Sequence, residues 1–436
     1  MNLMCSKYTV QKLHETKEDN FIQSCTYYVC IFIICVLLFI IVLPYIHEPN
    51  IKIISVGDEN IHMQEAELSK VISCYYNTPS EEADHQLLPD GINPLLCTHI
   101  NVAFAKIINK QIYLTDFQIK TINEVLQLKK TNSKLKVLVS VGGSGNNDGF
   151  SDMVVNHAAR KTFIRSVKYL LRNHSLDGID LDWEFPAVHL QEAEQGKRER
   201  QHFSQLLREI RMEFIRERRN YLLTVALAAQ QIIVDVSYDI DQINMYVDFA
   251  NVMTYDFHYY TKFTPFTGLN SPLFARNSEH LYLATLNVNY TVQMFLTKGL
   301  NESKIVIGIP SYGHSFTLVN KDNAGIGSPA LGYGNVGSIG FVNYPDICCF
   351  IKNNSDVIIV EEKNTKVPYL HKGTEWISYE TPESVATKAE YIRQLKLRGA
   401  MIYSLNADDY RGRCGESLYN ATNFPLVSSI KNILDT

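Results

Sequence analysis

The chain has 436 residues, enough for one large domain or two small ones. A hydrophobic content of 46% supports an ordinary globular core. A formal net charge of −5 gives no electrostatic reason to expect a nucleic-acid partner, and no heptad array, low-complexity tract or internal repeat is visible.

The first element is a nearly uninterrupted apolar run without a charge, Tyr27–Ile46. It is long enough to cross a hydrocarbon core of roughly 30 Å as a helix. Tyr27, Tyr28 and Tyr45 sit at its two ends, as an interfacial aromatic belt would. A cleaved signal peptide is the rival, but a shorter apolar region and a small-x-small cleavage site should then appear. Pro44-Tyr45-Ile46-His47-Glu48-Pro49 follows instead. The sequence therefore predicts a cytoplasmic tail at 1–26, an uncleaved transmembrane signal anchor at 27–46 and a stem at 47–70. Lys7, Lys12 and Lys17 before the run put the N-terminus in the cytoplasm, although Glu15, Glu18 and Asp19 dilute the charge. Residues 71–436 then form an extracellular or lumenal domain of a single-pass type II membrane protein. Within the stem, Ile51–Val56 is a candidate strand.

Nine cysteines divide by this topology. Cys5 and Cys25 precede the apolar run, and Cys30 and Cys35 lie inside it. Cys74, Cys97, Cys348, Cys349 and Cys414 fall outside, where disulfides persist. That number is odd, so at least one is unpaired or pairs between chains. No spacing resembles a zinc site, and nothing calls for a metal or a cofactor. Asn173, Asn289, Asn301, Asn353 and Asn420 head Asn-x-Ser/Thr glycosylation sequons, usable in a secretory compartment.

Short apolar, β-branched runs then mark eight candidate strands. They are Val71–Tyr76, His99–Ala105, Lys136–Val141, Gly178–Leu181, Leu222–Ala228, Phe249–Thr254, Ile305–Ile309 and Ala400–Ser404. Helical spacing separates many of them. Phe163, Val167, Leu170 and Leu171 precede the fourth strand; Phe203, Leu206, Leu207, Ile210 and Phe214 follow it. Val385, Ala389 and Ile392 precede the eighth. Alternating strands and helices imply parallel βαβ units, and eight of them imply a closed (β/α)8 TIM barrel of the α/β class. An open doubly wound sheet is the alternative. Arginines from Arg198 to Arg219 are interspersed with Glu199, Glu209, Glu213 and Glu217, as on a solvated helix face. The stretch from about Phe316 to Glu380, with candidate strands Val357–Val360 and Trp376–Tyr379, is too long for one helix.

The fourth strand is the most informative. In Asp177-Gly178-Ile179-Asp180-Leu181-Asp182-Trp183-Glu184, strand alternation puts Asp180, Asp182 and Glu184 on one face. Ile179, Leu181 and Trp183 take the other, and Asp177 falls off the acidic face and reads as structural. Stacked carboxylates on an inward face repel, so at least one should hold a proton. A carboxylic acid protonated near neutral pH is what cleavage of a glycosidic bond needs at its leaving group. Two glycine-rich stretches lack the context of phosphate sites. Ser140-Val141-Gly142-Gly143-Ser144-Gly145 has neither the P-loop lysine nor dinucleotide spacing, and Gly332-Tyr333-Gly334-Asn335-Val336-Gly337 follows no strand.

The acidic stretch resembles the Asp-x-x-Asp-x-Asp-x-Glu motif of glycoside hydrolase family 18, the chitinases and chitinase-like lectins. Cys74-Tyr75-Tyr76, Cys97-Thr98-His99, Ser140-Val141-Gly142-Gly143, Met253-Thr254-Tyr255-Asp256 and Gly399-Ala400-Met401-Ile402-Tyr403 extend it from about Val71 to about Glu416. The resemblance implies the barrel, with a small α+β insertion at about 316–380 between strand seven and helix seven. It implies catalytic roles for Glu184 as general acid, Asp182 as orienter of the substrate's N-acetyl group, Asp180 as its proton-sharing partner and Tyr255 as donor to the acetyl oxygen. Asp256, Met253, Tyr403, Gly142 and Gly143 would contact substrate. It also implies disulfides Cys74–Cys97 and Cys414 with Cys348 or Cys349. Which of the last two bonds stays open.

The departures concern tryptophan. Tyr403 and Ser144 stand where the family has tryptophan, and neither Asn77-Thr78-Pro79-Ser80 nor Phe257-His258-Tyr259-Tyr260-Thr261 supplies one. Asn406 stands in place of an aspartate, and only Trp183 and Trp376 occur in the chain. The resemblance thus implies a retaining hydrolase of β-linked N-acetylglucosamine oligosaccharides or glycoconjugates, with chitin or chitooligosaccharide as partner. A weakly catalytic, lectin-like or signalling protein is the alternative, and an inert barrel used as an interaction surface is a third. An anchor beside a depleted aromatic platform is similar to the chitinase-like proteins of nematodes.

Overall fold

A computed structural model describes residues 69–80, 86–188, 193–415 and 423–436, without the side chains of 193–197. The predicted tail, membrane segment, most of the stem and the Asn420 sequon lie outside the described residues. Among the described residues no helix is long and apolar enough to cross a membrane.

All eight predicted barrel strands form. They are Val71–Asn77, His99–Ile108, Lys136–Gly142, Gly178–Asp182, Leu222–Ala228, Phe249–Met253, Ile305–Pro310 and Gly399–Tyr403. Each pairs in parallel with the next, and strand one pairs with both strand two and strand eight, which closes the barrel. The open-sheet alternative is thereby set aside. Alternation decides what faces where. Ile72, Cys74, Ile179, Leu181, Ala250, Val252, Ala400 and Ile402 point outward into one core shared with the helices. Tyr75, Phe249, Tyr255, Met401 and partly buried Met253 and Tyr403 form a second core inside the barrel. The helices fall where apolar spacing put them, at His157–His174, Ala193–Arg216 and Pro382–Gln394, with the named apolar residues buried.

The insertion starts earlier than expected, at Tyr312, two residues beyond strand seven. Its antiparallel sheet contains Tyr312–Leu318, Ala330–Tyr333, Phe341–Asn343, Ile358–Glu362, Val367–Lys372 and Glu375–Ser378, with a helix at Tyr344–Asn353. Trp376 fills its core, stacked on Tyr369, with Nε1 donating to Ala324 O at 3.0 Å. The Gly-x-Gly-x-x-Gly stretch lies here, and two of its amides are already engaged. Asn335 N and Val336 N donate to the Glu375 carboxylate at 2.8 and 3.2 Å.

Among the described residues two disulfides form. Cys74 of strand one bonds Cys97, and Cys348 of the insertion helix bonds Cys414. The pairing left open thus falls to Cys348, which is buried, whereas Cys349 is exposed and free. Asn173, Asn301 and Asn353 are exposed; Asn289 is half-buried and accepts from Tyr391 OH at 2.9 Å.

Candidate active site

The C-terminal ends of strands four, six and eight bring the predicted residues together. Asp180 sits deepest and is fully buried. Four donors from four other strands converge on it. Tyr75 OH and Ser140 Oγ reach Oδ2 at 2.7 and 2.6 Å; Thr224 Oγ1 and Asn251 Nδ2 reach Oδ1 at 2.7 and 3.2 Å. Burial raises its pKa while these donors favour the anion and pull it back. No hydrogen bond joins Asp180 to Asp182 here; donors from neighbouring strands occupy the Asp180 oxygens. Asp182 Oδ1 has no partner. Burial first, then the charges of Glu184 and Asp180, hold the Asp182 pKa well above the carboxylate range.

Glu184 stands two residues beyond the strand end, not at it. Its amide donates to Asn147 Oδ1 at 2.8 Å, which ties the acid to the loop after strand three. Burial, followed by the negative charge of Asp256, raises its pKa to about 7. Glu184 and Asp182 are thus both displaced toward the protonated form, Glu184 by burial and Asp256, Asp182 by burial and its acidic neighbours Glu184 and Asp180.

Tyr255 lies buried against Tyr403 and Tyr312, with ring centroids 5.9 and 6.1 Å away. Asp256 adopts a left-handed backbone, φ 57°, and turns its carboxylate to the insertion. Tyr312 OH donates to its Oδ1 at 2.6 Å, and His314 Nε2 lies 2.7 Å from the same atom. Met253 is half-buried in the inner core, as barrel lining. Tyr403 ends strand eight and packs against Tyr75, Tyr255 and Tyr312 at 5.6, 5.9 and 6.3 Å. Gly142 and Gly143 have positive φ, 104° and 81°. A Cβ on Gly142 would lie 2.1 Å from Asp182 O, and one on Gly143 2.7 Å from the Phe104 ring. Gly142 lets the strand-three turn pass the acidic strand, and Gly143 lets it pass Phe104 of strand two. Asp177 is structural, accepting from Val137 N at 2.8 Å and pairing with Lys129 at 2.7 Å.

Neither tryptophan is available to a ligand. Trp183 is 2% exposed and stacked on Phe150, and Trp376 is 0% exposed. Sequence reasoning missed Thr224, Asn251, Asn147, Asn270, Tyr312 and His314. Each contributes through a partner on another strand or in the insertion, so spacing along its own segment carried no signal.

Among the described residues no group of three or more His, Cys, Asp or Glu side chains is placed to hold a metal. What the arrangement offers is one anchored carboxylate, two acids disposed to bind protons and a phenol, at the mouth of a barrel.

Comparison with known proteins agrees with the resemblance. The family described as glycosyl hydrolases family 18 matches residues 71–408. Chitinase-3-like protein 2 of Homo sapiens is 34% identical over 375 residues, 83% of this chain and 92% of the relative. The group IV chitinase of Ostrinia furnacalis, solved with allosamidin, superimposes with a TM-score of 0.78 at 32% identity, covering 84% of this chain and 99% of that one. Human YKL-39, described as a pseudo-chitinase with retained chitooligosaccharide binding, superimposes at 0.77 and 33% identity, covering 84% and 100%.

Proposed function

The chain belongs to glycosyl hydrolases family 18, and on that premise we propose that it hydrolyses β-linked N-acetylglucosamine oligosaccharides or glycoconjugates with retention of configuration. The observation that carries this reading is the acid set itself. Glu184 titrates near 7, so about half of it is protonated at neutral pH and able to donate to a glycosidic oxygen. Asp182, beside it and inclined to hold a proton, would orient the substrate's acetamido nitrogen. The acetyl oxygen would attack the anomeric carbon, in place of an enzyme nucleophile. Tyr255 OH has only a weak partner, Met401 sulfur at 3.8 Å, and is free to donate to that oxygen. Glu184→Gln keeps the shape and removes the proton. Hydrolysis of a chromogenic chitooligosaccharide should fall by about 100-fold or more. Equal inactivity of wild type and variant on every such substrate would sink the reading.

A second reading, a carbohydrate-binding protein with little turnover, rests on one observation: the tyrosine floor and the burial of both tryptophans. Such a protein would bind chitooligosaccharides equally well as wild type and as Glu184→Gln, and would release no product. The membrane-anchored topology is a further proposal, motivated by the uncharged Tyr27–Ile46 run.

A further inference from the structure

The fully buried ammonium of Lys388 lies outside the acid set, on helix Pro382–Gln394. Its three protons are all directed. Nζ donates to Glu380 Oε1, to Ser271 O at 2.5 Å and to Ser271 Oγ at 2.8 Å. Glu380, at the insertion's exit, is buried and accepts from Ser384 Oγ at 2.5 Å through its other oxygen. Ser271 Oγ, while accepting from Lys388, donates to Thr254 O at 2.7 Å.

Asn270, the neighbour of Ser271, grips the other side of the same corner. Its Oδ1 accepts from Asp256 N at 2.8 Å, and its backbone oxygen accepts from Phe257 N at 3.1 Å. Its own N donates to Ser378 Oγ at 2.8 Å and its Nδ2 to Tyr312 O at 3.1 Å, both in the insertion. Two consecutive residues therefore fix Thr254 O, Asp256 N and Phe257 N, the backbone groups on either side of Tyr255. A buried charge with this geometry is costly to desolvate and weak evidence for stability in itself. Of its two partner residues, Ser271 leads to one corner of the site, while Glu380 is held by Ser384 of the same helix.

We propose that Lys388 is a positioning residue: through the Asn270–Ser271 clip it holds the Tyr255–Asp256 corner in place against Glu184, and so couples the insertion to the acid. The proposal rests on the hydrolase reading for its purpose but not for its test.

The readout is titration of the Glu184 carboxyl by ¹³C NMR on protein labelled at glutamate, assigned by its loss in Glu184→Gln; it needs no turnover. Asp182, Asp256, Tyr238, Tyr255 and Tyr403 are the titratable groups that act on or feel Glu184. Lys388→Met with Glu380→Gln removes the ion pair without stranding a buried charge. Ser271→Ala, a milder change, removes only the shared hydroxyl and serves if the double variant does not fold. Val427→Ala, in the buried face of the C-terminal helix, is the control for general destabilisation. If Lys388 positions the corner, Asp256 relaxes away in both clip variants and the Glu184 midpoint falls by about 0.5 unit or more. The Val427→Ala midpoint stays where the wild type's is. Where turnover is measurable, kcat should drop about tenfold with KM little changed. An unmoved midpoint in a folded clip variant overturns the proposal. A shifted midpoint in a protein without turnover leaves it standing and sinks the hydrolase reading alone.

Discussion

Glu184 is the residue whose chemistry and stability pull in opposite directions. Its folded pKa, about 7, lies above the ordinary glutamate value of 4.5. Between these values the folded state holds a proton that the unfolded state has lost, so stability falls as pH rises from about 4.5 through 7. Glu184→Gln cannot ionise and should escape that loss. Denaturant melts should show the variant more stable than wild type at pH 8, by on the order of 1–3 kcal/mol, and equal to it near pH 4. A wild type as stable as the variant at both pH values would contradict the burial of this carboxyl. Activity, which needs the proton, should decline as pH rises through about 7. This residue was legible because period two in one short strand sorts Asp180, Asp182 and Glu184 from Ile179, Leu181 and Trp183. Thr224 and Asn251 were not legible, since their part depends on converging on Asp180 from neighbouring strands.

At the scale of elements, each barrel strand declared itself through a short β-branched run, and three helices through apolar spacing. The insertion's first strand did not: Tyr312-Gly313-His314-Ser315 has no apolar alternation. Its partners, Ala330–Tyr333, Phe341–Asn343 and Glu375–Ser378, all lie beyond the reach of a tight turn. His314 was missed with it. The insertion helix also settles the cysteines. Cys414→Ser opens a bridge spanning 66 residues, and urea titration should find a loss of about 2–4 kcal/mol. Cys349→Ser should change stability by less than about 0.5 kcal/mol. Equal losses in the two variants would mean that the bridge is not the one described. The strand ends carry the aromatic deficit. A stacked ring contributes on the order of 1–3 kcal/mol to sugar contact. Tyr403→Trp with Ser144→Trp should therefore tighten chitooligosaccharide binding in calorimetry, whereas wild type should pass through a chitin column. Firm wild-type retention would show that another surface supplies the platform.

For the whole molecule, the closed barrel follows from counting strands, and the place of the site follows from the barrel. The membrane anchor stands on Tyr27–Ile46 alone. If it is right, glycosidase treatment of the expressed chain should lower its apparent mass, and intact vesicles should shield everything beyond about residue 47 from external protease. A secreted product starting near that residue would replace the anchor with a cleaved leader. The central claim, that Glu184 and Asp182 serve a substrate-assisted hydrolysis, is tested most directly by proton NMR of the first product released from a soluble N-acetylglucosamine tetramer. The account predicts the β anomer at the new reducing end before mutarotation, and none in Glu184→Gln. The α anomer appearing first, or no release by wild type above the Glu184→Gln blank, would contradict it.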